Sequence, residues 1–246
     1  MPSSKARPLG RAWRHLSMAG WLCASLLAGQ EPASPPSPSG QASVQPLQRL
    51  VLIDPAHGGS ETGAMLNPAI PEKDVNLAFA RRLRQELASH GLPAQLLRNE
   101  DNALTPDQRA ALANSERPTI YLGIHSTSLG SGVTVISALL PSASNSRGLF
   151  LPWQTAQVSW LAQSRLIGTL VTPTVQRWGV PARSLLAPLR PLNNITGPAL
   201  AIEIAPTNGD VLQLASVEYQ QLISTAVTNA LVGTLGLLPV KPGPNP

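Results

Sequence analysis

The chain has little cysteine, few aromatic residues and few charges. Its 246 residues include a single cysteine, Cys23, and the aromatic and charged fractions are 4% and 13%. Cys23 lies inside an apolar N-terminal stretch that we expect to be removed, so the mature chain would hold no thiol. Without a thiol it can form neither a disulfide nor a cysteine-based metal site. Any bound metal ion must then be held by histidine, aspartate or glutamate.

The positive charge is concentrated at the N-terminus. Four of the 18 basic residues (Lys5, Arg7, Arg11 and Arg14) precede residue 15, and the other 14 nearly balance the 13 acidic residues. A nucleic-acid-binding domain would carry its basic residues on its folded part. The distribution therefore argues against a nucleic-acid partner, despite the formal net charge of +5.

The first 48 residues predict export followed by a linker. The apolar run LSMAGWLCASLLA (16–28) has the length of a signal-peptide core and is short for a membrane span. We assign residues 1–30 to a signal peptide, with an uncleaved anchor as the alternative, and we predict no lipid anchor. Residues 31–48 and 239–246 are rich in proline and are predicted to be disordered. The protein is thus expected in the periplasm or at the cell wall, without stable membrane insertion after cleavage.

Residues 49–238 predict a single α/β domain, since apolar strand-like segments alternate with segments of helical spacing. This alternation is typical of a mainly parallel sheet. The predicted strands are Arg49–Asp54, Pro93–Arg98, Pro118–His125, Gly132–Leu140, Ser184–Leu189 and Ala199–Ile204. The predicted helices are Asp74–His90, a helix capped by Thr105 that runs to Asn114, Gln157–Trp178 with a kink or split at Pro173, and Val217–Leu235.

Four polar residues occupy positions at which an α/β sheet carries its ligands. His57 follows the first strand, His125 ends the third, Glu203 interrupts the apolar strand ALAIEIA, and Glu72 precedes the first helix. Ligands bind beyond the carboxyl ends of such strands. Two imidazoles and a carboxylate, with one position left for water, form the ligand set of a catalytic zinc site. A further carboxylate can accept a proton from that water.

Two glycines directly follow the first of these histidines. Gly58 and Gly59 would let the backbone turn sharply after His57 and leave room for a metal ion and a substrate.

Several motifs occur together in one order along the chain, and they are VLIDPAHGGSETGA (51–64), EKDVNLAFARRL (72–83), LLRNED (96–101), RAALAN (109–114), IYLGIHST (120–127) and PALAIEIAPTNG (198–209). In these motifs the chain resembles the zinc-dependent N-acetylmuramoyl-L-alanine amidases of bacterial cell-wall turnover, the amidase-3 family. The resemblance covers most of residues 50–210. It implies a twisted, mostly parallel sheet of six strands with helices on both faces.

The same resemblance implies a role for each of the four polar residues. It implies Zn2+ ligands at His57, Glu72 and His125, and a catalytic carboxylate at Glu203. The implied reaction is hydrolysis of the amide between N-acetylmuramic acid and the L-alanine of the peptidoglycan stem peptide. Export is usual in this family, and whether an activator protein is needed is left open.

Three departures from the family pattern keep other functions open. Ala56 stands where the family usually has glycine, Ser126-Thr127 replaces a small residue followed by asparagine, and Ala205–Gly209 replaces a Gly-Phe-Leu-Ser-Asn-like run. One alternative is a non-catalytic peptidoglycan-binding or regulatory module that retains the amidase fold. Another is a zinc peptidase that acts on free muropeptides or other peptides.

Four further residues are predicted to support the site or its groove. Asp54 is expected to be structural or to bond a ligand imidazole. Arg98 and Arg109 are expected to form structural ion pairs or to be solvated, and Trp153 is a candidate for an exposed substrate groove.

Overall fold

The computed structural model of the chain describes residues 49–141 and 152–237. The predicted signal peptide, the linker and the tail lie outside the described residues, and these assignments stay predictions. The described part contains the six predicted strands and the four predicted helices.

A six-stranded sheet forms the centre of the domain. Its strands are β1 (Val51–Pro55), β4 (Ala94–Leu96), β5 (Ile120–Ser126), β6 (Gly132–Ala138), β7 (Ala182–Ala187) and β8 (Ala199–Ala205). Their spatial order is β4-β1-β5-β8-β6-β7. Four of the five strand pairings are parallel, and only β6 and β8 run antiparallel. The prediction of a mostly parallel sheet is therefore confirmed. Every residue of β1 and β6 is buried, as expected for apolar strands covered on both faces.

The four helices cover both faces of this sheet. They are α1 (Glu72–Ser89), α2 (Pro106–Glu116), α3 (Leu161–Arg177) and α4 (Val217–Leu237). Buried residues of α1, α3 and α4 pack with one set of strand side chains that includes Val51 and Ile202. The opposite set, which includes Leu52 and Ala201, packs against α2 and a short 3-10 helix, Leu192–Asn194. The second face thus has the lighter helical cover.

The predicted N-terminus is correct for α2 but not for α1. Thr105 and Gln108 form the reciprocal capping box that their spacing predicts. The first helix begins at Glu72, two residues earlier than predicted, after Pro71 in an extended conformation. The earlier start places the Glu72 carboxylate in the first turn, where the helix dipole favours negative charge.

A kink or a split was predicted at Pro173, and the split is wrong, because α3 continues through this residue to Arg177. Ile167 and Val171 before the proline and Val175 after it are all fully buried in the same core. This burial on both sides stabilises the helix against the loss of one backbone hydrogen bond. The stretch before α3 is a 3-10 helix, Trp153–Trp160, rather than the α-helix predicted from Gln157.

Two smaller features complete the described part of the domain. A two-stranded antiparallel ribbon, β2 (Met65–Asn67) and β3 (Ile70–Pro71), lies between β1 and α1 and was not predicted. No helix within the described ranges is long and apolar enough to cross a membrane.

Candidate metal centre and catalytic carboxylate

The segment after β1 makes a tight turn that begins at His57. His57 has φ +64°, in the left-handed region, and Gly58 and Gly59 have φ +143° and +62°. A Cβ atom on Gly58 would lie 2.3 Å from the backbone oxygen of Asn102, and one on Gly59 would lie 2.8 Å from Ala103. The predicted sharp bend is thus present. However, residues 102 and 103 fill the space left by the two glycines, so that space is not available to a metal ion or a substrate.

Gly63 is the glycine that lies against the predicted ligands. Its φ is +66°, and a Cβ atom there would lie 2.6 Å from His57 Cδ2 and 2.7 Å from Glu72 Oε2. Only a residue without a side chain fits this contact. Gly63 therefore allows the loop to close over one side of the candidate metal centre.

The three predicted metal ligands converge at one point. Glu72 Oε2 lies 3.2 Å from His57 Nε2, and Glu72 Oε1 lies 3.2 Å from His125 Nδ1. One ligand atom from each of the three residues falls within 4.8 Å of the other two. The two imidazole rings meet edge to face with centroids 5.6 Å apart. Residues from a loop, a helix N-terminus and a strand end thus form one cluster.

The Glu72 carboxylate is fixed by further donors. The backbone N–H of Ala64 donates to Oε2 at 3.0 Å, and the Asn76 side chain and the Ser126 N–H donate to Oε1 at 3.2 and 3.3 Å. Burial alone would raise the pKa of Glu72. Hydrogen bonds from His125, His57 and Ala64 outweigh that effect and hold the pKa well below its usual value. Glu72 is therefore an anion at neutral pH, as a metal ligand must be.

His57 has a different partner on each ring nitrogen. Nε2 faces Glu72, whereas Nδ1 forms a hydrogen bond with the carboxylate of Glu61. The hydrogen bond to Glu72 raises the pKa of His57, desolvation opposes it, and Glu61 adds to the increase. A carboxylate on Nδ1 fixes the ring orientation and directs Nε2 toward the cluster.

Glu203 lies beside this cluster on the neighbouring strand. In the sheet register, Glu203 of β8 is opposite His125 of β5 on one side and Thr134 of β6 on the other. Residues in register project from the same face, about 4.8 Å apart between parallel strands. Within the described residues the half-buried Glu203 carboxylate accepts no hydrogen bond. It is therefore available to a substrate or to water beside the histidines.

Arg98 holds the turn that carries His57. Its buried guanidinium donates to the carbonyl oxygens of Pro55 and Ala56 and to that of Lys73 in the first turn of α1. Burial lowers the pKa of Arg98, and the charge of Arg109 adds to this effect. Arg98 thus joins β1 to α1 through carbonyl groups, and within the described ranges it is neither solvated nor in an ion pair, the two states that were predicted.

Asp54 and Arg109 form a buried ion pair next to the turn that carries His57. The Arg109 guanidinium donates to Asp54 and also to the carbonyl of His57 at 2.6 Å. The second Asp54 oxygen accepts from the hydroxyl of Tyr121. The structural role predicted for Asp54 is supported, but the suggested bond to a ligand imidazole is wrong. Asp54 is linked to His57 only indirectly, since it pairs with Arg109 and Arg109 donates to the His57 carbonyl.

Trp153 is 44% exposed at the start of its 3-10 helix. Its indole N–H donates to Asp107 Oδ1 at 3.0 Å, which ties it to α2. The groove role predicted for Trp153 stays a prediction.

Sequence reasoning missed Glu61 and Gly63. The four-residue spacing from His57 to Glu61 was the available signal for a carboxylate behind a ligand imidazole. Gly63 gave no comparable signal, because its importance depends on a close approach that only the folded loop creates.

A sheet of this order, with a candidate His-Glu-His metal site and a free carboxylate at one end, is the arrangement of an α/β hydrolase. The chain matches the family described as N-acetylmuramoyl-L-alanine amidase over residues 51–232, and it therefore belongs to that family. This match confirms the predicted family and the predicted class of enzyme.

The chain is also similar to individual proteins. The N-acetylmuramoyl-L-alanine amidase AmiA of Salmonella typhimurium is 23% identical over 218 residues, which is 75% of each chain. A crystal structure of an N-acetylmuramoyl-L-alanine amidase from Clostridium difficile 630 aligns with 78% of this chain and 99% of its own, with TM-score 0.62 and 20% identity. The CwlD amidase of Clostridioides difficile, solved with the GerS lipoprotein, aligns with 77% of this chain and 100% of its own, with TM-score 0.58 and 20% identity. The two structural similarities bear on the fold alone.

Proposed function

We propose that the protein is a zinc-dependent hydrolase of the amide between N-acetylmuramic acid and the L-alanine of the peptidoglycan stem peptide. The proposal depends above all on the convergence of His57, Glu72 and His125 within 4.8 Å, next to the free carboxylate of Glu203. The family of the chain supports the bond that is cut.

The donor set fits a zinc ion. Two imidazole nitrogens and one carboxylate are ligands that zinc binds in catalytic sites, and they leave a fourth position open. Glu72 is already anionic and is held by the Ala64 and Ser126 N–H groups, so the carboxylate need not be reoriented. Because Gly63 has no side chain, only its backbone lies against His57 and Glu72 on the side of the loop. When bound, zinc would polarise a carbonyl group and acidify water.

Glu203 would act as the general base and then as the general acid. Its carboxylate accepts a proton from the attacking water as the new C–O bond forms at the scissile carbonyl carbon. It then delivers this proton to the leaving nitrogen as the C–N bond breaks. The products are a free lactyl carboxylate on the sugar and a free amino group on L-alanine. The absence of a competing hydrogen bond to Glu203 within the described residues suits this shuttle.

The test compares wild type with Glu203→Gln, both loaded with zinc, on intact peptidoglycan sacculi. Mass spectrometry should find stem peptides with a free N-terminal L-alanine after digestion by wild type. Loss of the proton shuttle should slow their release by about 10²–10⁴-fold. The exposed Glu218→Gln, the same chemical change on α4, is the control and should behave as wild type.

Each alternative function predicts a different product pattern. Equal release by Glu203→Gln and wild type would contradict the proposed role of Glu203. Cleavage between amino acids of the stem would indicate a peptidase. Binding of wild type to sacculi without any released product would indicate a non-catalytic module.

Export remains part of this proposal, since peptidoglycan lies outside the cytoplasmic membrane. A protein partner is a further expectation. The CwlD amidase, which is similar in fold, was solved with a lipoprotein, so lipoproteins are the first candidates to test as partners.

A further inference from the structure

A row of polar side chains crosses four strands on the face that contains Glu203. His125 of β5 is in register with Glu203 of β8, Glu203 with Thr134 of β6, and Thr134 with Arg183 of β7. In-register residues project from one face of a sheet, so the four side chains lie side by side. This is the more lightly covered face, the one that packs against α2. The row begins at the candidate metal centre and ends at the edge of the sheet.

Arg183 is held in this row by a hydrogen bond on its inner side. Its Nε donates to Thr134 Oγ1 at 3.1 Å, and Thr134 is buried. The guanidinium is thereby drawn from the edge strand toward the strand next to Glu203. Its terminal nitrogens have neither a hydrogen bond nor an ion pair within the described residues. A fixed, unpaired fork of this kind matches a carboxylate, which it can bind through two parallel hydrogen bonds.

The spacing of the row matches the next part of the proposed substrate. Two strand spacings separate Arg183 from Glu203, about 10 Å between their backbones. An extended peptide advances about 3.3–3.6 Å per residue. With the scissile amide at Glu203, a side group on the second stem residue would therefore come within reach of the Arg183 side chain.

We propose that Arg183 is a specificity-determining residue that binds a carboxylate on the second residue of the stem peptide. This inference rests on the proposed function and adds a substrate preference to it. A stem peptide with a free carboxylate at this position would be cleaved faster than one in which the same group is a carboxamide. The competing reading is a solvated arginine that merely protects the β7 edge from pairing with another strand.

The test is a competition between two synthetic disaccharide–pentapeptides in one reaction. They differ only in a free carboxylate or a carboxamide on the second stem residue, and mass spectrometry follows both products. The ratio of the two kcat/KM values does not depend on how much of the enzyme is folded. Wild type should favour the carboxylate by roughly tenfold, as expected for loss of one charge-assisted hydrogen-bonded pair. Arg183→Gln should bring the ratio close to one, and Arg183→Lys should lie between.

Arg177→Gln is the matched control. Arg177 is also an exposed arginine that donates to a threonine, Thr174, but it lies at the end of α3 and outside the row. It should keep the wild-type ratio. An unchanged ratio in Arg183→Gln, or no preference in wild type, would overturn the assignment of Arg183. Failure of wild type to cleave either substrate would instead overturn the proposed function.

Discussion

At the scale of single residues, the candidate metal centre depends on a backbone position as much as on its ligands. Gly63 and Gly91 have nearly the same left-handed φ, +66° and +70°. A Cβ atom on Gly63 would contact His57 and Glu72 below 3 Å, whereas one on Gly91 would have no atom within 4 Å. Substitutions at these two glycines can therefore distinguish the effect of backbone strain from that of a steric clash with the candidate metal ligands.

The Gly63→Ala variant is expected to fold but to bind zinc weakly. The new methyl group must displace the His57 ring or the Glu72 carboxylate, and changes of this kind next to ligands reduce metal affinity about 10–100-fold. Competition with a chromophoric chelator measures this affinity. Gly91→Ala carries the same backbone cost, about 1–2 kcal/mol, and should keep the wild-type affinity. Equal affinities in both variants would show that Gly63 does not position the ligands.

Some residues of the site could be predicted from the sequence, and others could not. His125 and Glu203 are ionisable residues in apolar strands, where an unpaired charge is costly, so each indicated a partner or a metal site and could be predicted. Glu61 and Gly63 lie in an irregular loop whose φ angles no periodicity encodes. The His57–Glu61 spacing hints at the role of Glu61, but the contacts of both residues depend on a turn that also contains His57 at φ +64°.

At the scale of elements, the buried Asp54–Arg109 pair joins α2 to β1 and to the loop that carries His57. The two side chains are 1% and 5% exposed. Another arginine–aspartate pair, Arg190–Asp107, has side chains that are 53% and 64% exposed. Both pairs join one aspartate oxygen to one arginine nitrogen, but Arg109 is buried and also donates to the carbonyls of Leu104, Pro55 and His57.

Arg109→Met should lower the free energy of unfolding by about 3–5 kcal/mol, because it leaves the Asp54 charge buried without its partner. Arg190→Met should have a much smaller effect, since solvent screens the exposed pair. Urea unfolding of both variants measures the difference. A loss at Arg109 as small as that at Arg190 would mean that water reaches Asp54 in the folded protein.

Most of the elements that could be predicted bury a full face, as β1 and β6 do, whereas β4 and β7 have no fully buried residue. All six strands and four helices were predicted within a few residues of their observed bounds. The β2–β3 ribbon was missed because two and three residues are too few to show alternation. The persistence of α3 through Pro173 depends on Ile167, Val171 and Val175, whose burial is a property of the assembled core.

At the scale of the whole molecule, both tyrosines of the chain are held in the interior, where the charged phenolate is unfavourable. Burial raises the pKa of Tyr219 from 10.0 to about 12. Burial, with the neighbouring Asp54 carboxylate, raises the pKa of Tyr121 as well. In the unfolded chain both phenols regain ordinary values near 10.

Because of this difference in pKa, the free energy of unfolding decreases as the pH rises above 10. Below pH 10 both states hold the Tyr219 proton, so its contribution to stability is complete. Between pH 10 and 12 only the folded state holds it, and the free energy of unfolding falls by about 2–3 kcal/mol. Urea unfolding at pH 9, 10 and 11 should therefore give a steeper decline for wild type than for Tyr219→Phe. Parallel declines in the two proteins would contradict the raised pKa.

We propose above all that one zinc ion binds between β1, α1 and β5. The most direct measurement is an anomalous difference map from a crystal of the zinc-loaded chain, with data collected on both sides of the zinc absorption edge. We predict one strong peak bonded to His57, Glu72 and His125, with the Glu203 carboxylate nearby. A zinc-loaded crystal with no peak among these three side chains, or with its peak elsewhere on the surface, would contradict the claim.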